Sequence, residues 1–266
     1  MTVPAPEPPA LPASAPVPLW VAMYHSVADT TDDDPYQVTV SPARLDRQLR
    51  RLRDKGLRGV SVRQLLDAAR RGVARGLVGL TFDDGYADFL DEAVPLLRRH
   101  DCTATVYVLA GRLGGSNDWD QDGPRKPLLT EEGVRRCAAA GMEIGSHGLL
   151  HIDLTKAGDR ELAEETRLSR ELLRAATGRA PRGFCHPYGR LDRRTVRAAR
   201  EAGYGYGVAI DPPPGLAGTH ALPRVHLGER DHAVRLELKL RLHRWRRPAV
   251  DLAPEPVRES GRAGTS

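Results

Sequence analysis

The stretch Leu77-Val-Gly-Leu-Thr-Phe82-Asp83-Asp84-Gly85-Tyr86 begins as a buried strand and stops at two adjacent carboxylates and a glycine. A longer amphipathic run, Tyr86 to His100, follows at once. A short apolar run turning tightly into an amphipathic one is the pattern of a strand joined to a crossover helix. The pattern repeats in both directions. Strand-like runs cover Trp20 to Tyr24, Thr103 to Leu109, Met142 to Ser146, Gly183 to His186, Tyr204 to Ile210 and Leu222 to Leu227. Helix-like runs cover Ser41 to Lys55, Thr130 to Ala140, Asp159 to Thr177 and Leu191 to Ala202. Helix ends are punctuated accordingly. Ser41 stands as an N-cap before Pro42, and Thr130 precedes Glu131 and Glu132, where acids favour the helix dipole. Gly56, Gly141, Gly178 and Gly203 stand where C-terminal caps are needed. About seven strands alternating with six helices predict an α/β chain with a parallel sheet, closed into a barrel or doubly wound.

The 266 residues suffice for one large domain. With 28% charged and 40% hydrophobic residues, the chain is neither fibrous nor wholly disordered. A formal charge of +5, carried mostly by arginine, speaks to solubility before partners, so nucleic acid is not expected. Cys102, Cys137 and Cys185 are scattered and odd in number, which argues against a disulfide framework or a structural zinc ribbon and fits a reducing compartment. No basic start followed by an unbroken apolar stretch is seen, and no run reaches the ~18 apolar residues of a membrane span. A cytoplasmic address is expected. Residues 1–18, rich in Pro and Ala, read as a disordered arm, 19–247 as the folded domain and 248–266 as a disordered tail. Between Arg235 and Arg247 the apolar residues are spaced closer to two than to 3.6, so a solvated terminal element is expected, with peripheral membrane contact the lesser reading.

Three motifs carry the chemistry. Adjacent strand residues face opposite ways, so Asp83 and Asp84 share a pocket only if the strand breaks, and Gly85 gives the backbone that freedom. Like charges so close push their pKa values apart unless a cation intervenes, which suggests one ligand and one base. The second motif, Ser146-His147-Gly-Leu-Leu-His151, follows another strand. On one helical turn, residues four apart share a face, so the two imidazoles converge on one ion. Two histidines and one carboxylate around a zinc-sized ion leave a position for water. The third, Phe184-Cys185-His186-Pro187-Tyr188-Gly189-Arg190, turns sharply at a third strand end and can aim a backbone amide at a developing oxyanion.

In this order the motifs Thr81-Phe82-Asp83-Asp84-Gly85, Ser146-His147-x-x-x-His151 and Pro187-Tyr188-Gly189 resemble those of the polysaccharide deacetylase family, the NodB-homology domain or carbohydrate esterase family 4. Met23-Tyr24-His25-Ser26-Val27 is similar to the first strand of its poly-N-acetylglucosamine deacetylase-like subgroup. The resemblance implies a distorted (β/α) barrel of about seven parallel strands and removal of N-acetyl groups from polysaccharide, oligosaccharide, or lipid- or nucleotide-linked sugars. It implies Asp83 as general base, Asp84, His147 and His151 as ligands of a divalent metal, and Tyr188 as oxyanion donor through its backbone amide. By ligand type the metal is zinc, with cobalt, nickel or iron equally served. Substrate contact is expected from His25, Pro187, Tyr188 and Arg224. Two departures stand out. Many members place an arginine two residues before the proline, against the base; here that residue is Cys185, so the contact is absent or comes from elsewhere, and Arg224 is able to orient Asp83 instead. The general acid, often a histidine in a late Leu-x-His motif, is assigned first to His226, with His25 and His186 in reserve. Two rival readings are a same-fold hydrolase of another amide or cyclic ureide, and a catalytically silent carbohydrate-binding module.

Overall fold

The computed structural model describes residues 19–29 and 34–246. The expected arm at 1–18 and tail at 248–266 lie outside the described residues.

In chain order the elements are β1 (Val21–Tyr24), β2 (Ser26–Val27), β3 (Thr39–Val40), α1 (Pro42–Asp54), β4 (Arg58–Val60), α2 (Val62–Arg70) and β5 (Leu77–Phe82). A π turn at Phe89–Ala93 leads into α3 (Val94–Arg99), followed by β6 (Thr105–Val108), α4 (Glu131–Ala139) and β7 (Glu143–Ser146). Next, α5 (Asp159–Ala163) runs through a π turn at Glu164–Leu168 into α6 (Ser169–Thr177). The chain ends with β8 (Gly183–Cys185), α7 (Arg193–Glu201), β9 (Tyr206–Ala209), β10 (Leu222–Pro223), β11 (Val225–His226) and α8 (Ala233–Arg246).

The main sheet is parallel and runs β10-β9-β8-β7-β6-β5-β1-β11, with β4 paired to the start of β5. Its two end strands are separated in sequence by Arg224 alone, so the sheet is nearly closed into a barrel and the seam is one interrupted strand. Leu222 to Leu227 was expected as one unbroken strand. Instead, β10 pairs with β9 and β11 with β1, and the chain steps from one edge to the other at Arg224.

Alternation along the strands sorts the core into two layers. Ala22, Tyr24, Leu80, Phe82, Val106 and Val108 face outward onto Leu45, Leu49 and Leu52 of α1 and Phe89 and Leu97 beyond β5. Val21, Tyr107, Cys185, Tyr206, Val208 and Leu222 cluster with Leu65 and Leu66 of α2. Helix α2 was not expected. Its signal was the Ser61-Val-Arg-Gln64 capping box, in which Ser61 Oγ accepts from Gln64 N and the Gln64 side chain accepts from Ser61 N. The expected caps appear at Ser41, Thr130, Gly56, Gly141, Gly178 and Gly203, the four glycines all with left-handed φ.

The period of two read between Arg235 and Arg247 is corrected by α8. On this helix Leu236 is buried, whereas Val234, Leu238 and Leu242, stepping by four, lie exposed. No helix among the described residues is long and apolar enough to cross a membrane.

Candidate active site

The residues singled out by the motifs sit where strands end on one rim of the barrel. Asp83 still belongs to the ladder, its N–H donating to Tyr24 O at 2.9 Å. Asp84 then adopts φ 69° and Gly85 φ 71°, two successive left-handed residues that turn the chain and send the two carboxylates different ways. The break thus starts one residue before the glycine, at a non-glycine residue held in a strained conformation.

Asp84 faces two histidines. His147 Nε2 lies 3.2 Å and His151 Nε2 3.4 Å from Asp84 Oδ1, and all three side chains are buried. The expected shared helical turn is not there. Residues 147–153 are irregular, with Gly148 at φ 88° and His151 at φ 64°, and the imidazoles converge because the loop folds back on itself. Glu165, in the π turn between α5 and α6, holds it there by accepting from Leu149 N at 2.6 Å and Leu150 N at 3.2 Å. A Cβ on Gly148 would come within 2.5 Å of Glu165 Oε2, so the glycine is needed for packing as well as for its backbone.

The three residues suit a divalent cation. Asp84 Oδ1 is buried with only the two imidazole nitrogens before it and no well-aligned hydrogen bond, an expensive arrangement that a cation between the three side chains would relieve. His147 Nδ1 meets the Cys185 carbonyl at 2.9 Å, which leaves Nε2 turned toward Asp84, the usual way a ligating imidazole is oriented. Burial pushes the Asp84 carboxyl upward, but the neighbouring His147 and His151 imidazoles outweigh it and hold the group far below the usual carboxylate range. Asp83, His147 and Cys185 also lie close enough together to share an ion. The Arg224 guanidinium already occupies that second cluster, however, and its positive charge opposes a cation there.

Arg224 grips Asp83 with both arms, Nη1 to Oδ1 at 2.6 Å and Nη2 to Oδ2 at 2.7 Å, and reaches Cys185 Sγ at 3.1 Å and Thr81 Oγ1 at 3.0 Å. The contact that Cys185 does not make therefore comes from the barrel seam. Arg224 is 2% exposed and both arms of its guanidinium are committed to Asp83, so it positions that carboxylate, which corrects its expected place among the substrate-binding residues. Burial raises the pKa of Asp83, but Arg224 more than reverses this and leaves it below its ordinary value.

The histidines separate clearly. His25 Nε2 is 4.0 Å from Asp83 Oδ2. His226 makes no hydrogen bond or ion pair with either carboxylate among the described residues; its ring centre is 6.2 Å from that of His25, and it bonds to the Gln37 carbonyl. Burial and the neighbouring His25 push His226 down to about 4, so at neutral pH it is the neutral imidazole rather than the imidazolium that a general acid needs. That placement counts against His226 as general acid. His186 is fully buried, edge-on to Phe184 and 3.3 Å from the His220 carbonyl, and leaves the reserve list.

Tyr188 turns the chain at φ 57°, is 47% exposed, and lays its ring 4.4 Å from that of His151. Pro187 beside it is buried. Trp119 covers His151 from another side, ring centres 4.6 Å apart. The sequence reading missed Trp119 together with its neighbour Asp120, which burial and the Asp84 charge push upward. A tryptophan between acids in a polar loop was the available signal. That loop is fastened by the buried Lys126, whose Nζ donates to Ser26 Oγ and Thr39 Oγ1, both at 2.6 Å.

Burial lowers His186 from 6.5 to about 4, so between those values the unfolded chain binds a proton that the folded chain refuses. Its contribution to stability is complete above pH 6.5 and is lost on acidification toward pH 4, on the order of 3 kcal/mol. Thermal unfolding at pH 7 and pH 4.5 should therefore differ less for His186→Gln than for the wild type. An equal acid drop in both would discount His186.

The sequence profile described as polysaccharide deacetylase matches residues 70–207. YxkH of Bacillus subtilis (strain 168), named a candidate polysaccharide deacetylase, is 26% identical over 216 residues, 80% of this chain and 72% of that protein. Poly-beta-1,6-N-acetyl-D-glucosamine N-deacetylase of Staphylococcus aureus (strain MSSA476) is 21% identical over 180 residues, 65% of this chain and 61% of that protein. The solved Streptococcus pyogenes deacetylase PplD in complex with acetate is similar in fold, with a TM-score of 0.72 at 24% identity, covering 85% of this chain and 99% of that one.

Proposed function

This chain belongs to the polysaccharide deacetylase family, and on that footing we propose that it is a divalent-metal-dependent hydrolase that removes acetyl groups from N-acetylated sugars. The observation that carries this reading is the buried Asp84 carboxylate oxygen between two imidazole nitrogens, 3.2 and 3.4 Å away, beside a second carboxylate clamped by an arginine.

Asp84, His147 and His151 would hold the cation, with zinc the first choice by donor type and cobalt, nickel or iron compatible. A cation held there supplies Lewis acidity toward the acetamide carbonyl and lowers the pKa of water. Asp83 takes the proton of the attacking water. Arg224 keeps that carboxylate ionised beforehand and fixes its direction, and the bidentate grip prevents it from rotating away. The left-handed turn at Tyr188 presents the backbone amide to the oxygen that becomes negative. The departing amine needs a proton, and His25 is the imidazole placed to give it. Trp119 and Tyr188, flanking His151, offer aromatic faces against which a sugar ring packs. Three free, buried cysteines suit a reducing compartment, so the cytoplasm is the proposed setting.

The test is acetate release from N-acetylglucosamine and its oligomers by the metal-supplemented protein. His25→Ala should reduce turnover roughly 10²-fold by removing the proton donor, with a smaller loss for His226→Ala. The reverse order would return the donor's role to His226.

A further inference from the structure

Helix α8 has two apolar faces, and the barrel uses one of them. Leu236 is buried and joins Leu45, Leu49 and Leu52 of α1 in one cluster of the core. Val234, Leu238 and Leu242 step by four along the helix and therefore share a face. Leu236 stands two residues from both Val234 and Leu238, which places that face about 200° around the helix axis from the buried one. The three residues of the row are 74%, 55% and 37% exposed. Single aliphatic side chains in water are ordinary, whereas an unbroken row of three along one helix face marks an interaction surface.

The charges around the row specify the partner. Arg235 stands three residues before Leu238 and Arg241 three after it, so two exposed guanidinium groups border the row. The acids nearby are already engaged. Glu229 accepts from Ser41 N at 2.8 Å and faces Arg44 at 3.5 Å. Asp231 lies 2.7 Å from Lys239 Nζ and 3.2 Å from Arg235 Nε, and Glu237 pairs with both Lys55 and Arg241. With Arg230 on the rim, six cations meet these three acids, and the surplus is positive. The last turn of α8 adds Arg244 and Arg246 and no acid.

An apolar row with a positive border matches the boundary between headgroups and acyl chains of a lipid layer. Aliphatic side chains enter the hydrocarbon there while guanidinium groups reach back to phosphate. A second copy of this chain is a poorer match, because a two-fold contact through the row would set two positive borders against each other. Nucleic acid would take the charge and leave the row in water. The spacing of two that favoured a solvated element is absent from the helix, whose exposed row repeats every four residues.

We infer that α8 docks the protein on an anionic membrane surface, lying along it with Val234, Leu238 and Leu242 inserted. The docking does not depend on the deacetylase reading.

The test is co-sedimentation of the full chain with vesicles of phosphatidylcholine alone, and of phosphatidylcholine and phosphatidylglycerol in equal parts, at low and at high salt. The wild type should pellet with the anionic vesicles at low salt, and should bind about 10-fold more weakly at high salt or to phosphatidylcholine alone. Leu238→Glu should weaken binding to the anionic vesicles about 10-fold or more, and Arg241→Ser about 5-fold. Both side chains are exposed, so the two variants should melt with the wild type. A wild type that stays in the supernatant with anionic vesicles would overturn the docking, as would a folded Leu238→Glu that pellets as the wild type does. Binding weakened by Arg241→Ser and untouched by Leu238→Glu would mean a polyanion site without insertion, and would also overturn it. So would light scattering that shows a wild-type dimer converted to monomer by Leu238→Glu, since the row would then belong to a second copy.

Discussion

Asp83→Asn should lower kcat for acetate release by about 10³-fold while KM changes little. The amide retains the shape of the carboxylate and can still accept from one arm of Arg224, but it cannot take a proton from water. On the proposed reading Asp83 meets the reacting water rather than the resting sugar, so its loss should fall on the transition state. The substitution also leaves the Arg224 guanidinium buried without an anion, and some stability will go with it. Turnover must therefore be referred to folded protein, with circular dichroism as the check. If folded Asp83→Asn turned over at a rate near the wild type, the base would have to be another group.

Arg224→Met should have the larger effect on stability. Arg224 and Asp83 are both almost completely buried, and removing the cation leaves a carboxylate in the barrel without a counter-charge, a change that costs about 3–5 kcal/mol. In a domain of this size that corresponds to a melting temperature roughly 10 °C lower. The sign of the pH effect follows from the direction of the shift. With Arg224 present, the folded-state pKa of Asp83 lies below its ordinary value of 3.8, so the pair stabilises the fold above that value and the contribution disappears as pH falls through the depressed pKa. Without Arg224 the burial that raises the pKa is opposed only by the nearby His147 and His25. The acid limb of kcat/KM should then move toward neutral pH, and Arg224→Lys, with one point charge in place of a fork, should fall between the two. A melting temperature and acid limb unchanged in Arg224→Met would remove Arg224 from the role given to it here.

The sequence revealed the barrel because its strands are short, apolar and regularly separated by amphipathic runs; Leu77 to Phe82 matches β5 at both ends. It did not reveal the seam. A break confined to one residue, Arg224, does not disturb an alternating pattern, since Leu222, Arg224 and His226 still read as one face of a continuous strand. The acid pair and the two histidines were legible as motifs at strand ends, but the way the histidines meet was not. Sequence spacing of four suggests a helical turn, whereas the convergence depends on left-handed backbone at Gly148 and His151 and on Glu165 reaching in from a helix 14 residues past His151. Long-range contacts of this kind leave no local trace. The same holds for Lys126, whose two hydroxyl partners lie 100 and 87 residues away in the chain.

The most direct measurement is the rate of acetate release from N-acetylglucosamine oligomers by protein stripped with chelator, before and after a divalent cation is restored, for the wild type and for Asp84→Ala. The account predicts that the stripped wild type is silent, that the cation restores it, and that Asp84→Ala stays silent with the cation present. Full activity in chelator, or restoration of Asp84→Ala to the wild-type rate, would contradict it.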